Sequence, residues 1–89
     1  VEKFIGDSAG GGLVAGTLLK IVRAGNLRVP DGGILIYPVL YRDLKAPLAS
    51  HLRFRNDFIL PHQYREIYTN AYVRNSDPRD PLLSPLLAP

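Results

Sequence analysis

The chain has 89 residues with a net charge of +3 and no cysteine, so it lacks both a disulfide framework and thiolate metal ligands. Its basic side chains are interleaved with acids, as in Arg42-Asp43, Arg55-Asn56-Asp57 and Arg79-Asp80, which is the scatter of a solvated surface and not the stripe that binds nucleic acid. No apolar run reaches the roughly 18 residues of a membrane-spanning helix, and the lack of cysteine is compatible with a reducing, cytoplasmic compartment.

Residues 1–5, VEKFI, read as a strand entering Gly6-Asp7-Ser8-Ala9-Gly10. A GxSxG sequence between a strand and a helix is the context in which a serine becomes a nucleophile. The turn is so sharp that the positions two residues either side of the serine must be nearly free of side chain, and Gly6 and Gly10 meet that need. Ser8 is therefore the candidate nucleophile, and the backbone N–H of Ala9, at the start of the next helix, the candidate oxyanion donor. Gly6, Asp7, Gly10 and Gly11 complete the elbow, with Asp7 expected to help hold it.

From Ala9 to about Ala24 the run AGGGLVAGTLLKIVRA is apolar on nearly every face, which predicts a helix buried all round. Gly11, Gly12 and Gly16 would each cost about 1 kcal/mol relative to Ala in an exposed helix; they are read as letting the helix approach a sheet closely. Gly25 suits a left-handed terminator. After the turn Pro30-Asp31-Gly32-Gly33, the continuous apolar run of residues 34–37 ends at Pro38, as does a strand covered on both faces. Strand, helix and strand make one parallel βαβ unit. Residues 39–56 have no period and are read as a loop past the carboxyl end of the second strand, where such folds keep binding surfaces.

A second helix is predicted over residues 62–73, with Tyr64, Ile67, Tyr68, Ala71 and Tyr72 on one stripe and Arg65, Glu66 and Asn70 opposite. The stripe is expected to pack on its own domain. Residues 75–81 read as a loop, and residues 82–89 as an apolar connector whose prolines oppose a helix.

GDSAGG entered from a strand and followed by an apolar helix resembles the hormone-sensitive lipase family of α/β-hydrolases. RVPDG at residues 28–32, IYPV at 36–39 and SPL at 84–86 resemble further segments of that family in the same order, whereas Gly12 stands where the family commonly has Asn. The GDSGG of trypsin-like proteases is excluded by the inserted Ala9 and by the helical pattern that follows. The resemblance implies an α/β fold, here part of an α/β-hydrolase catalytic domain: strand, elbow, helix and strand over 1–38, loop and amphipathic helix over 39–74, the latter a lid or acyl-pocket wall by that resemblance, and connector over 75–89. It also implies ester hydrolysis through a serine acyl-enzyme, on acylglycerols or other lipid esters, with no metal or organic cofactor and with peripheral contact to lipid surfaces open to the parent protein.

The triad partners of such a serine follow in the order Ser, acid, His. His51 comes too early in the chain for that order, His62 sits in the first turn of the second helix, and Asp80 precedes the SPL segment with no strand to carry it. The acid and base are therefore expected beyond Pro89 and the HGG-type oxyanion loop before Val1, in a longer protein of which this is an internal segment with exposed edges. Two other readings stand beside the esterase: a binding protein on the same scaffold, as in plant gibberellin receptors, which resemble these hydrolases but have lost the triad His, and an inactive truncated product.

Overall fold

The structure, a computed structural model, describes all 89 residues. Strand β1 spans Lys3–Asp7, helix α1 Ala9–Ala24, strand β2 Gly32–Ile36, helix α2 Ala49–Arg53 and helix α3 His62–Val73, and a single 3-10 turn spans Pro85–Leu87. The strands pair in parallel, with Lys3 opposite Gly32 and Asp7 opposite Ile36. Pairing therefore carries β1 two residues beyond Ile5, through the first half of the motif, and the chain passes from strand to helix at Ser8 alone.

Helix α1 crosses one face of this pair. Gly33 lies beneath Val14 and Leu18, with only 3.1 Å between the Leu18 Cδ1 atom and the place a Cβ would take. The opposite face carries Ile5, Ile34 and Ile36, which are 64%, 50% and 43% exposed. The sequence predicts cover on both faces of β2 and all round α1. Within these residues α1 is the one helix laid against the strands, so Leu13 and Val22 are exposed as well.

The α1 glycines do permit close approach, but chiefly to loops. Gly11 abuts Pro38, Gly12 meets the Val39 carbonyl, and Gly16 meets the Leu82 carbonyl. The turn after β2 and the C-terminal connector are thereby seated on the helix backbone. Gly25 ends α1 at φ 75°, donating its N–H to Ile21 O, as a residue without Cβ can do in the left-handed region.

The apolar core is small: Val14 and Val73 are its buried members, while Arg42, Asp43 and Ser84 are buried polar residues. Ser84, fully buried, accepts from the Arg42 N–H at 2.9 Å and donates to the Pro78 carbonyl; its own N–H reaches Asp80 O at 2.7 Å. Nearby, Leu86 N–H donates to Leu40 O at 3.0 Å, and the Arg79 guanidinium meets the Asp43 carboxylate at 2.9 Å. The Arg42 guanidinium stacks on the Tyr72 ring at 4.2 Å. This polar hub ties the loop after β2, the connector and α3 to one another.

Two short elements depart from the sequence reading. Helix α2 forms inside the segment read as loop, just after Pro47, and the 3-10 turn forms where prolines were expected to prevent any helix. Pro85 occupies the first position of that turn, where its missing N–H costs nothing.

The hub yields a direct test. Ser84→Ala leaves the Arg42 N–H and the Pro78 carbonyl without their buried partner, and should lower stability by about 1–3 kcal/mol. The check is denaturant unfolding of the protein as its natural gene encodes it; an unchanged midpoint contradicts the assignment.

Candidate active site

Ser8 has φ 52° and ψ −119°, a region that non-glycine residues occupy only under constraint. Three backbone hydrogen bonds supply it. Ser8 N–H donates to Ile36 O at 2.9 Å, while Ser8 O accepts from Val39 N–H at 3.1 Å and from Gly12 N–H at 3.2 Å. The first continues the β ladder, the second ties the elbow to the loop beyond β2, and the third starts α1. Tyr37, at φ 36°, turns the chain out of β2 so that Val39 can reach Ser8.

Gly6 and Gly11 are required by space. A Cβ on Gly6 would collide with the Gly10 carbonyl, and one on Gly11 would lie 2.8 Å from Pro38 Cβ. Gly10 is different: the nearest atom to a Cβ there is an Asp7 carboxylate oxygen at 3.8 Å, so its side of the motif is open. Asp7 itself is exposed, and Ser8 and Ala9 are exposed too. No side-chain cap engages the Ser8 hydroxyl. Ala9 is the first residue of α1, so its N–H is one of the first-turn donors without a helical acceptor; with the helix dipole it favours negative charge beside Ser8.

These two residues open into a cleft of about 450 Å³, walled by the loop after β2, by His51 of α2 and by His62, Arg65, Tyr68 and Thr69 of α3. Pro38, Val39, Leu40, Leu44 and Leu48 give it a largely apolar lining. The face of α3 turned to the cleft thus only partly coincides with the one the hydrophobic pattern selects, sharing Tyr68 with it. Tyr64 and Ile67 are 48% and 61% exposed, and Arg65, assigned by pattern to the opposite, solvated side, faces the cavity. The apolar stripe divides: its members Tyr68 and Tyr72 make the contacts, at the cleft and beneath Arg42, together with the neighbouring buried Val73, whereas Tyr64 and Ile67 stay open.

Both histidines lie in the Ser8 cleft, which sequence order did not suggest. Each is engaged within its own segment. His51 Nδ1 accepts the Leu48 N–H at 3.4 Å, so the neutral ring carries its proton on Nε2; the ring packs 5.9 Å from that of Tyr41. His62 Nε2 lies 3.6 Å from a Glu66 carboxylate oxygen, one turn along. Asp80 accepts hydrogen bonds from Leu82 N–H and Ser84 N–H in the connector. No group of three or more His, Cys, Asp or Glu side chains is arranged to hold a metal ion, and no helix is long and apolar enough to cross a membrane.

Burial, and then the charges of Arg65 and His62, hold the His51 imidazole below its ordinary range. The folded state therefore binds fewer protons there than the unfolded chain, so stability is present when the ring is neutral and declines as pH falls through about 6.5. Thermal unfolding should occur at a lower temperature at about pH 5.5 than at about pH 7.5, and His51→Gln should remove part of that difference. Parallel pH dependence in the two proteins would contradict this.

A further test concerns the elbow. Gly6→Ala must displace the first turn of α1 and should cost about 1–3 kcal/mol, the usual penalty of overpacking, whereas Gly10→Ala should be far milder; equal unfolding midpoints for the two variants would contradict the packing account.

No curated protein matches this chain. Among solved structures, the crystal structure of a hormone-sensitive lipase from a metagenome library superposes with a TM-score of 0.83 at 31% sequence identity, covering 97% of this chain and 28% of that one. The chain thus spans less than a third of the lipase it matches. A family model described as the alpha/beta hydrolase fold matches residues 3–89, and the chain belongs to that family.

Proposed function

We propose that this chain carries the nucleophile of a carboxylic-ester hydrolase that works through a serine acyl-enzyme. The observation that carries the reading is the backbone of Ser8, held at φ 52° with its side chain exposed on an apolar cleft. Strained backbone of this kind persists only where the surrounding structure over-determines it.

In this reading Ser8 Oγ attacks the ester carbonyl and gives up its proton to an imidazole base. The Ala9 N–H supports the oxyanion of the tetrahedral intermediate. Collapse of that intermediate breaks the bond to the alcohol oxygen, which leaves with the proton, and water then releases the acid by the same steps in reverse order. Since His51 and His62 are committed to Leu48 and Glu66, the base and its orienting acid are assigned to residues outside these 89, in the order Ser, acid, His. The apolar lining favours a substrate with a hydrocarbon portion. The likeness to a hormone-sensitive lipase supports acylglycerols or other lipid esters as the class.

The natural full protein should label with a fluorophosphonate at Ser8. Ser8→Ala should abolish labelling and reduce hydrolysis of a short-chain aryl ester by about 10⁴-fold or more. Turnover retained in that variant rules out the acyl-enzyme, and labelling absent from an otherwise folded wild-type protein favours a binding role for the scaffold.

A further inference from the structure

The cleft beside Ser8 contains a polar feature that ester hydrolysis alone does not use. Arg65 reaches it from α3, and its Nε and Nη2 atoms are buried without a hydrogen-bond partner. A guanidinium is charged at all working pH values, and leaving its donors desolvated and unpaired is costly. The two orphaned nitrogens lie on the same edge of the guanidinium. Their N–H bonds run side by side, the geometry that receives both oxygens of a carboxylate.

The surrounding charges do not neutralise it. Asp43 is the one acidic side chain lining the cleft, and it is held by Arg79 at 2.9 Å. Glu66 pairs with His62 and is absent from the lining. The remaining basic neighbours are His51, His62 and Arg42, with Arg42 occupied against Tyr72, and the other titratable side chains of the lining are the phenols Tyr41 and Tyr68. The cavity is therefore apolar in its walls and electropositive at one point.

Building on the esterase reading, we propose that the preferred substrate is an ester that also bears a carboxylate, received side-on by Arg65 in the Ser8 cleft. The apolar walls take the intervening hydrocarbon, and the buried fork provides the orientation that a purely hydrophobic chain lacks.

The test uses the natural full protein and the 4-nitrophenyl monoesters of glutaric, adipic and suberic acids. Their neutral counterparts are the 4-nitrophenyl esters of the monocarboxylic acids of the same length. At least one charged ester should exceed its neutral counterpart in kcat/KM, and Arg65→Gln should lower that ratio by about tenfold or more. Arg65→Lys, which keeps the charge but loses the fork, should restore it only in part. A ratio no greater than one for all three lengths, or one unchanged by Arg65→Gln, overturns the proposal; this is also the outcome if a carboxylate of the protein itself satisfies Arg65. Binding of monomethyl adipate to Ser8→Ala protein by calorimetry separates the two readings, because it needs no nucleophile. Weaker binding in the Ser8→Ala/Arg65→Gln double variant supports the Arg65 site even if the acyl-enzyme fails, and equal binding overturns that site even if Ser8 is the nucleophile.

Discussion

The left-handed backbone at Ser8 is the constraint on which the remaining structure depends. A β ladder normally leaves its strand along an extended path; here the last ladder bond, Ser8 N–H to Ile36 O, is made by a residue already turned toward a helix. Such a conformation costs of order 1–3 kcal/mol, and is held because neighbours on both sides fix it. Strand β2 fixes the amide, Val39 and Gly12 fix the carbonyl, and the missing side chain of Gly6 admits the first turn of α1. The result is an alcohol presented at the positive end of a helix with no cap to occupy it.

That constraint also explains the organisation of the cleft. Because Ser8 O is tied to Val39, the loop after β2 must start over the elbow, and it is kept there by contacts distant in sequence. Ser84 clamps Arg42, Arg79 holds Asp43, and Arg42 stacks on Tyr72 of α3. The most deeply buried side chain is a serine, not a hydrocarbon. Directional bonds of this kind fix one arrangement of loop and helix more sharply than apolar contact does, since each buried partner is penalised if it moves. The cleft wall is therefore set by the polar hub, and the apolar side chains fill the space it defines.

The parts legible in the sequence are those set by local chemistry. The need for glycine at Gly6, the run of α1 and its Gly25 terminator, and the span of α3 follow from sterics and periodicity that neighbouring residues impose on each other, whereas the same steric demand expected at Gly10 is not met in the structure. The strand pairing was legible too, although the ladder extends β1 to Asp7. What escaped was set by distant partners. Nothing local to Ser84, Arg42 or Asp43 reveals that they are buried together. The aromatic stripe of α3 predicts one inner face, yet Arg65 lines the cleft beside Tyr68 of that stripe, because the loop it faces is positioned by the hub. Chain order argues against His51 and His62 as triad members, and order carries no information about their sharing a cavity with Ser8. One available signal is the density of cationic and imidazole side chains from His51 to Arg65 in the segment that follows the second strand.

The central claim is that the elbow presents the Ser8 oxygen to the cleft beside an unpaired helix amide. The most direct measurement is a crystal structure of the natural protein after reaction with a phosphonate ester. The account predicts phosphorus bonded to Ser8 Oγ, Ser8 still at positive φ, and a phosphonyl oxygen about 2.7–3.1 Å from the Ala9 N–H nitrogen. An unmodified Ser8 in ordinary helical or extended backbone, or an adduct whose oxygen turns away from Ala9, would contradict it.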